Sequence, residues 1–88
     1  MMKTANTVTQ EQIDEIWAKA DKQVYTIFDK CTVMAVRLAN GFILVETSAS
    51  VDPINYDEKV GREICTKRLK DKLWELEGYR LQCALKGE

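Results

Sequence analysis

The chain has 88 residues, 45% of them hydrophobic and 31% charged, with 13 basic and 14 acidic side chains for a net charge of -1. That profile fits one small globular domain with a thin core, and it excludes an intrinsically disordered chain. The charge balance gives no general attraction to nucleic acid or anionic membranes. No apolar run reaches the roughly 18–20 residues that cross a bilayer, and the first ten residues lack the apolar core of a secretory signal.

Histidine is absent, which removes the commonest general base and the commonest metal ligand. Cys31, Cys65 and Cys83 are odd in number and form no C-x-x-C pair. They read as reduced, semi-buried small hydrophobes of a cytosolic protein, with no metal site and no cofactor implied.

In chain order, residues 1–6 read as a flexible tail ahead of the domain. Thr9 with Gln12 forms a capping box. Ile13, Ile16, Trp17, Ala20 and Val24 then recur at helical spacing, which predicts a first helix over about residues 10–22. From residue 24 to residue 39, β-branched and aromatic residues dominate and predict strand. Asn40-Gly41, flanked by apolar residues, predicts a hairpin. A two-residue loop sets Leu38 opposite Ile43, Arg37 opposite Leu44, Val36 opposite Val45 and Met34 opposite Thr47. Met34, Val36, Leu38, Ile43 and Val45 then face the helices. Val33, Ala35, Arg37, Phe42, Leu44 and Glu46 form the other face, with Arg37 and Glu46 diagonal neighbours. An isolated hairpin is marginal, so a third strand is expected, from residues 24–28 or from a second protomer.

Pro53 stops the strand. Asn55 with Glu58 resembles a capping box, and Asp57 and Glu58 suit a helix N-terminus. A long helix is predicted over about residues 57–85, with Gly61 permitting close packing and Gly78 a point for a bend. It carries two apolar stripes. One is Cys65, Leu69, Leu73, Leu76, Tyr79 and Cys83; the other is Val60, Trp74, Leu81 and Leu85. One stripe can cover the sheet. The second needs helix one, a second copy or another protein. The expected fold is therefore α+β: an N-terminal helix, an antiparallel hairpin or three-stranded meander, and a long C-terminal amphipathic helix, in a self-associating protein. Phe42, Leu44, Trp74, Leu81 and Leu85 are the candidate oligomer contacts.

Arg62, Lys67, Arg68, Lys70 and Lys72 form a basic run that could meet phosphates, although Glu58, Glu63, Asp71, Glu75 and Glu77 interleave with it as on an ordinary solvated helix. Asp52, Asn55, Asp57 and Glu58 do not match a calcium loop, and helix capping accounts for them. No phosphate-binding glycine loop and no nucleophile elbow occurs. Trp74 and Tyr79 could stack a base or anchor packing.

Residues 40–42 (NGF), 48–57 (SASVDPINYD), Gly61 and residues 70–81 (KDKLWELEGYRL) resemble the gene-product-forty-nine-like family of small tailed-phage proteins, typified by open reading frames of coliphage N-four and Shigella-phage S-f-six. The resemblance covers residues 32–81 and extends more faintly to the first helix. Where members often carry an alanine-rich helix before the tryptophan, this chain has the more charged GREICTKRLKD. The resemblance implies a phage or prophage product in the host bacterial cytoplasm and transfers no catalytic residue.

The expected function is non-enzymatic, stoichiometric binding in counter-defence or host takeover, by sequestering a host factor or a nucleotide signal. Arg37, Arg62, Arg68, Trp74 and Tyr79 are its candidate contacts. The alternative is nucleic-acid binding through the basic helix face. A third reading, an enzyme using carboxylates or Lys72, has no positive motif behind it.

Overall fold

A computed structural model describes residues 6–87. The expected tail lies almost wholly outside the described residues, at positions 1–5. The elements run α1 (Gln10–Lys19), β1 (Asp21–Ile27), β2 (Cys31–Arg37), β3 (Ile43–Ala49), a short 3₁₀ turn (Pro53–Asn55) and α2 (Glu58–Lys86). The three strands form an antiparallel meander in the order β1-β2-β3. The helix α2 lies across β2 and β3 on one side of the sheet, and α1 packs against α2.

The capping box forms as expected: Thr9 accepts from the Gln12 N–H, and the Gln12 side chain accepts from the Thr9 N–H. The helix stops earlier than its apolar spacing suggests, at Lys19. Asp21 already pairs with Arg37 in the sheet, so the β-branched and aromatic run that follows takes residues 21–27 as strand. Val24 is thus a strand residue, and the third strand comes from this chain. The strand ends at Ile27, because Phe28 and Asp29 both take positive φ, +52° and +60°, in the turn to β2.

The second hairpin differs from expectation by one residue. Its loop has three residues, Ala39, Asn40 and Gly41. Leu38 accepts from the Gly41 N–H at 2.8 Å and donates to the Phe42 carbonyl at 2.8 Å. Gly41 sits at φ +93°, a conformation open to glycine in a turn closed by a bulge. The extra residue sets Arg37 opposite Ile43, Val36 opposite Leu44, Ala35 opposite Val45 and Met34 opposite Glu46. A shift of one residue exchanges the two faces of a strand. Leu44, Glu46 and Ser48 therefore turn toward α2, and Ile43, Val45 and Thr47 turn away from it. Arg37 pairs with Asp21 at 2.7 Å instead of with Glu46, which meets Lys72 of α2 at 2.7 Å.

Between β3 and α2, Asp52 caps the 3₁₀ turn by accepting from the Ile54 N–H. Asn55 belongs to that turn, and the N-cap of α2 is Asp57, which accepts from the Lys59 and Val60 N–H groups. Gly61 lies against Thr32; a Cβ there would overlap the Thr32 Oγ1. Thr32 is fully buried and shares its hydroxyl with Tyr56 at 2.5 Å. The helix continues through Gly78 without a break and ends at Gly87, in the left-handed conformation.

The core is Ala20, Met34, Val36, Cys65 and Leu69, with Trp17, Val24, Leu38 and Leu44 packed around it. Ile13 and Leu73 are also buried. The 29 residues of α2 span about 43 Å, whereas a seven-residue strand spans about 23 Å. The molecule measures 50 × 23 × 20 Å, and every buried residue of α2 lies between Gly61 and Leu73. The expected stripe is buried over the sheet only. Beyond it, Leu76 and Tyr79 are exposed and Cys83 is partly so.

Candidate functional site

The most distinctive surface is the sheet face opposite α2. An antiparallel sheet with one free face ordinarily alternates apolar-in and polar-out. Here the outward positions are Gln23, Tyr25 and Ile27 of β1, Val33 and Ala35 of β2, and Ile43, Val45 and Thr47 of β3, with the Asp21–Arg37 ion pair at one end. Tyr25 is 54% exposed, Ile43 60% and Val45 47%. The three-residue hairpin loop is what places Ile43 and Val45 there. Tyr25 donates its hydroxyl to Gln23 Oε1 at 2.6 Å, which lays its ring along the strand.

At the end of the sheet nearest the β1–β2 turn, two loops present further apolar groups. Phe28 is 84% exposed, Val51 95% and Ile54 84%. The loops are tied together: Ser50 N–H donates to the Lys30 carbonyl at 2.9 Å, and Lys30 Nζ donates to the Val51 carbonyl at 3.0 Å.

The basic run does not form one patch. Lys59, Arg62, Lys67 and Lys70 line a shallow groove of about 530 Å³ with Thr66, Trp74, Gln10 and the acidic Glu63 and Asp71. Arg62 pairs with Glu58 at 3.8 Å and Lys67 with Asp71 at 3.0 Å. Lys70 and Lys22 both stand over the Trp17 ring, 5.5 and 5.0 Å from its centre. Arg68 and Lys72 point the other way, to β3: Arg68 donates to the Thr47 carbonyl at 2.9 Å and Lys72 to the Val45 carbonyl at 3.4 Å.

The candidate contacts Arg37, Arg62, Arg68, Trp74 and Tyr79 are accordingly dispersed. Arg37 is on the open sheet face, Arg62 and Trp74 share the groove, Arg68 lies along β3, and Tyr79 is exposed on α2 beyond the sheet. Of the candidate oligomer contacts, Phe42 and Leu85 are exposed and Trp74 is at the margin of exposure. Leu81 is half-buried beside Val8 and Leu85. Leu44 corrects its expected outward position by packing against the core. Ile43 and Val45, expected to face the helices, stand outward instead, and Tyr25, Ile27, Phe28, Val51 and Ile54 are exposed apolar groups that the sequence pattern does not single out as contacts. The alternation in DKQVYTI, with Tyr25 and Ile27 two apart, was the available signal for β1.

The electrostatics are local. Lys72 donates a hydrogen bond to Glu46 and, with Arg68, holds its carboxyl below the ordinary 4.5, against the opposing effect of burial. Burial pushes the Cys65 thiol up, and the Glu46 charge adds to that rise. Among the described residues no group of three or more Cys, Asp or Glu side chains is placed to hold a metal ion, and no helix is long and apolar enough to cross a membrane.

These features define a class: a small α+β protein, a helix-backed three-stranded meander with an apolar free face. Residues 4–85 match the model of the phage protein family described by N4 Gp49 and phage Sf6 gene 66, and the chain belongs to that family. No curated protein and no solved structure matches it.

Proposed function

We propose that this phage protein acts by stoichiometric contact with a host factor, in the host cytoplasm, through the open face of its sheet. The observation that carries the reading is the apolar character of that face: Tyr25, Ile27, Ile43 and Val45 stand exposed where a solvated sheet would carry polar groups. A flat surface of aromatic and branched side chains suits a protein partner better than a small polar molecule, which needs a concave site with convergent polar groups. Blocking a host or defence protein by occupancy requires no catalytic constellation, which agrees with the chain's lack of histidine.

Native mass spectrometry of the protein purified from infected cells tests this. A complex of fixed ratio is expected for the wild type. It is expected to disappear in Val45→Glu, whose side chain is outside the core. A complex that survives the charge at Val45 would move the contact elsewhere.

The groove lined by Lys59, Arg62, Lys67, Lys70 and Trp74 favours a second reading, binding of nucleic acid. It requires affinity that falls steeply with salt. A flat response between low and moderate salt would remove it.

A further inference from the structure

The two edges of the sheet are treated differently. Leu38 N–H bonds to Phe42, so in β2 the even-numbered residues exchange hydrogen bonds with β3 and the odd-numbered ones with β1. The outward backbone groups of β3 are then those of Ile43, Val45 and Thr47. Two of those carbonyls are capped from α2, Thr47 by Arg68 and Val45 by Lys72. The outward groups of β1 belong to Lys22, Val24 and Thr26. Among the described residues, no side chain or backbone group bonds to them. An uncapped strand of seven residues is a template for pairing with another chain.

We propose that β1 pairs antiparallel with β1 of a second copy, about a two-fold axis at Val24, to give a continuous six-stranded sheet. The second copy is the fitting occupant because the strand is complementary to itself in this register. Val24 meets the partner's Val24, Lys22 meets the partner's Thr26, Gln23 meets the partner's Tyr25, and Asp21 meets the partner's Ile27. No like charges oppose one another, and every outward N–H and C=O from Lys22 to Thr26 finds a partner. The same line of pairing brings the exposed Phe28 beside the partner's Ala20, at the end of α1. The contact is isologous and closes at two copies, because Arg68 and Lys72 stop growth at the remaining edges. A paired edge of this length buries less than the roughly 800 Å² per partner of a standard interface, so a reversible dimer is expected. The open apolar face stays free in the dimer and is doubled in width.

Sedimentation equilibrium on the full chain, across a micromolar concentration series, tests the pairing. The wild type is expected to be a monomer–dimer equilibrium. Val24→Pro removes an outward N–H without touching the bonds between β1 and β2 and is expected to be monomeric. Thr26→Lys sets two lysine pairs opposite each other and is expected to weaken the dimer about tenfold. Adding Lys22→Glu to Thr26→Lys replaces both repulsions with attractions and is expected to restore the dimer, an outcome that a mere loss of folding could not produce. A wild type that is monomeric throughout would overturn the proposal, and so would a dimer indifferent to Thr26→Lys. The pairing does not rest on the target-binding reading: a monomer that still holds a host protein would overturn the first and leave the second standing.

Discussion

Single side chains carry much of what holds this small fold together. Gly61 is where α2 comes closest to β2. Gly61→Ala forces its new Cβ into the Thr32 hydroxyl, and overpacking of this kind costs about 1–3 kcal/mol. Thermal denaturation is expected to show that loss, and Thr32→Ala in the same chain to show less than the sum of the two changes, because it removes the hydroxyl that the new Cβ meets. The Glu46–Lys72 pair gives a pH signature. Glu46 has a folded pKa below its ordinary 4.5, lowered first by the hydrogen bond from Lys72. Its contribution is thus present above that ordinary value and is lost as pH falls through the depressed one. Because Lys72 is 41% exposed, the contribution is about half a kcal/mol. Urea titrations of Glu46→Gln and wild type are expected to differ slightly at neutral pH and to converge in acid. A third residue stores strain. Phe28 at φ +52° is unusual for a bulky side chain. Phe28→Asn is expected to raise the melting temperature, by relief of about 1 kcal/mol of left-handed backbone cost. A drop would show that the Phe28 ring contributes packing that its 84% exposure does not suggest.

At the scale of the element, the hairpin at Asn40-Gly41 shows what sequence patterning settles and what it leaves open. The turn itself was legible, since Asn-Gly between apolar runs serves both a two-residue loop and a three-residue loop with glycine at its end. Loop length was not, because it depends on which carbonyl the Gly41 N–H finds. IleLeuVal in a row offers no alternation to arbitrate. The result is a face exchange for Ile43, Leu44 and Val45. Substitution distinguishes the two registers. Leu44→Ala is expected to cost about 2 kcal/mol, as for a partly buried core residue, whereas Val45→Thr is expected to stay within about half a kcal/mol. The reverse order would restore the two-residue loop. The end of α1 has a similar lesson. Val24 fits both a helical stripe and a strand, and pairing of Asp21 with Arg37 decides for the strand. The capping box at Thr9, the close approach at Gly61 and the long second helix were all readable, because each rests on local chemistry that no distant partner overrides.

At the scale of the whole molecule, the long second helix sets the economy of the core. It is nearly twice the length of the strands, so half of it has no sheet to cover. The sheet, served on one face only, keeps a second face that is neither buried nor polar. The sequence pattern places surplus apolar surface on α2, at Trp74, Leu81 and Leu85, and on the sheet face away from the helices, at Phe42 and Leu44. The structure keeps Leu85 exposed, partly covers Leu81, turns Leu44 to the core, and sets Tyr25, Ile27, Ile43 and Val45 on the open sheet face. That the far face of the sheet is apolar is legible in the sequence; which β3 residues stand on it is not, because that depends on the register. Carbene footprinting tests most directly whether that face is a contact surface at work: the full chain is labelled as purified and again in extracts of infected cells. Labelling of Tyr25, Ile43 and Val45 is expected to fall in the extract while that of Tyr79, far along α2, stays unchanged. Equal labelling of the three sheet residues in both states would contradict the claim that this face meets a partner.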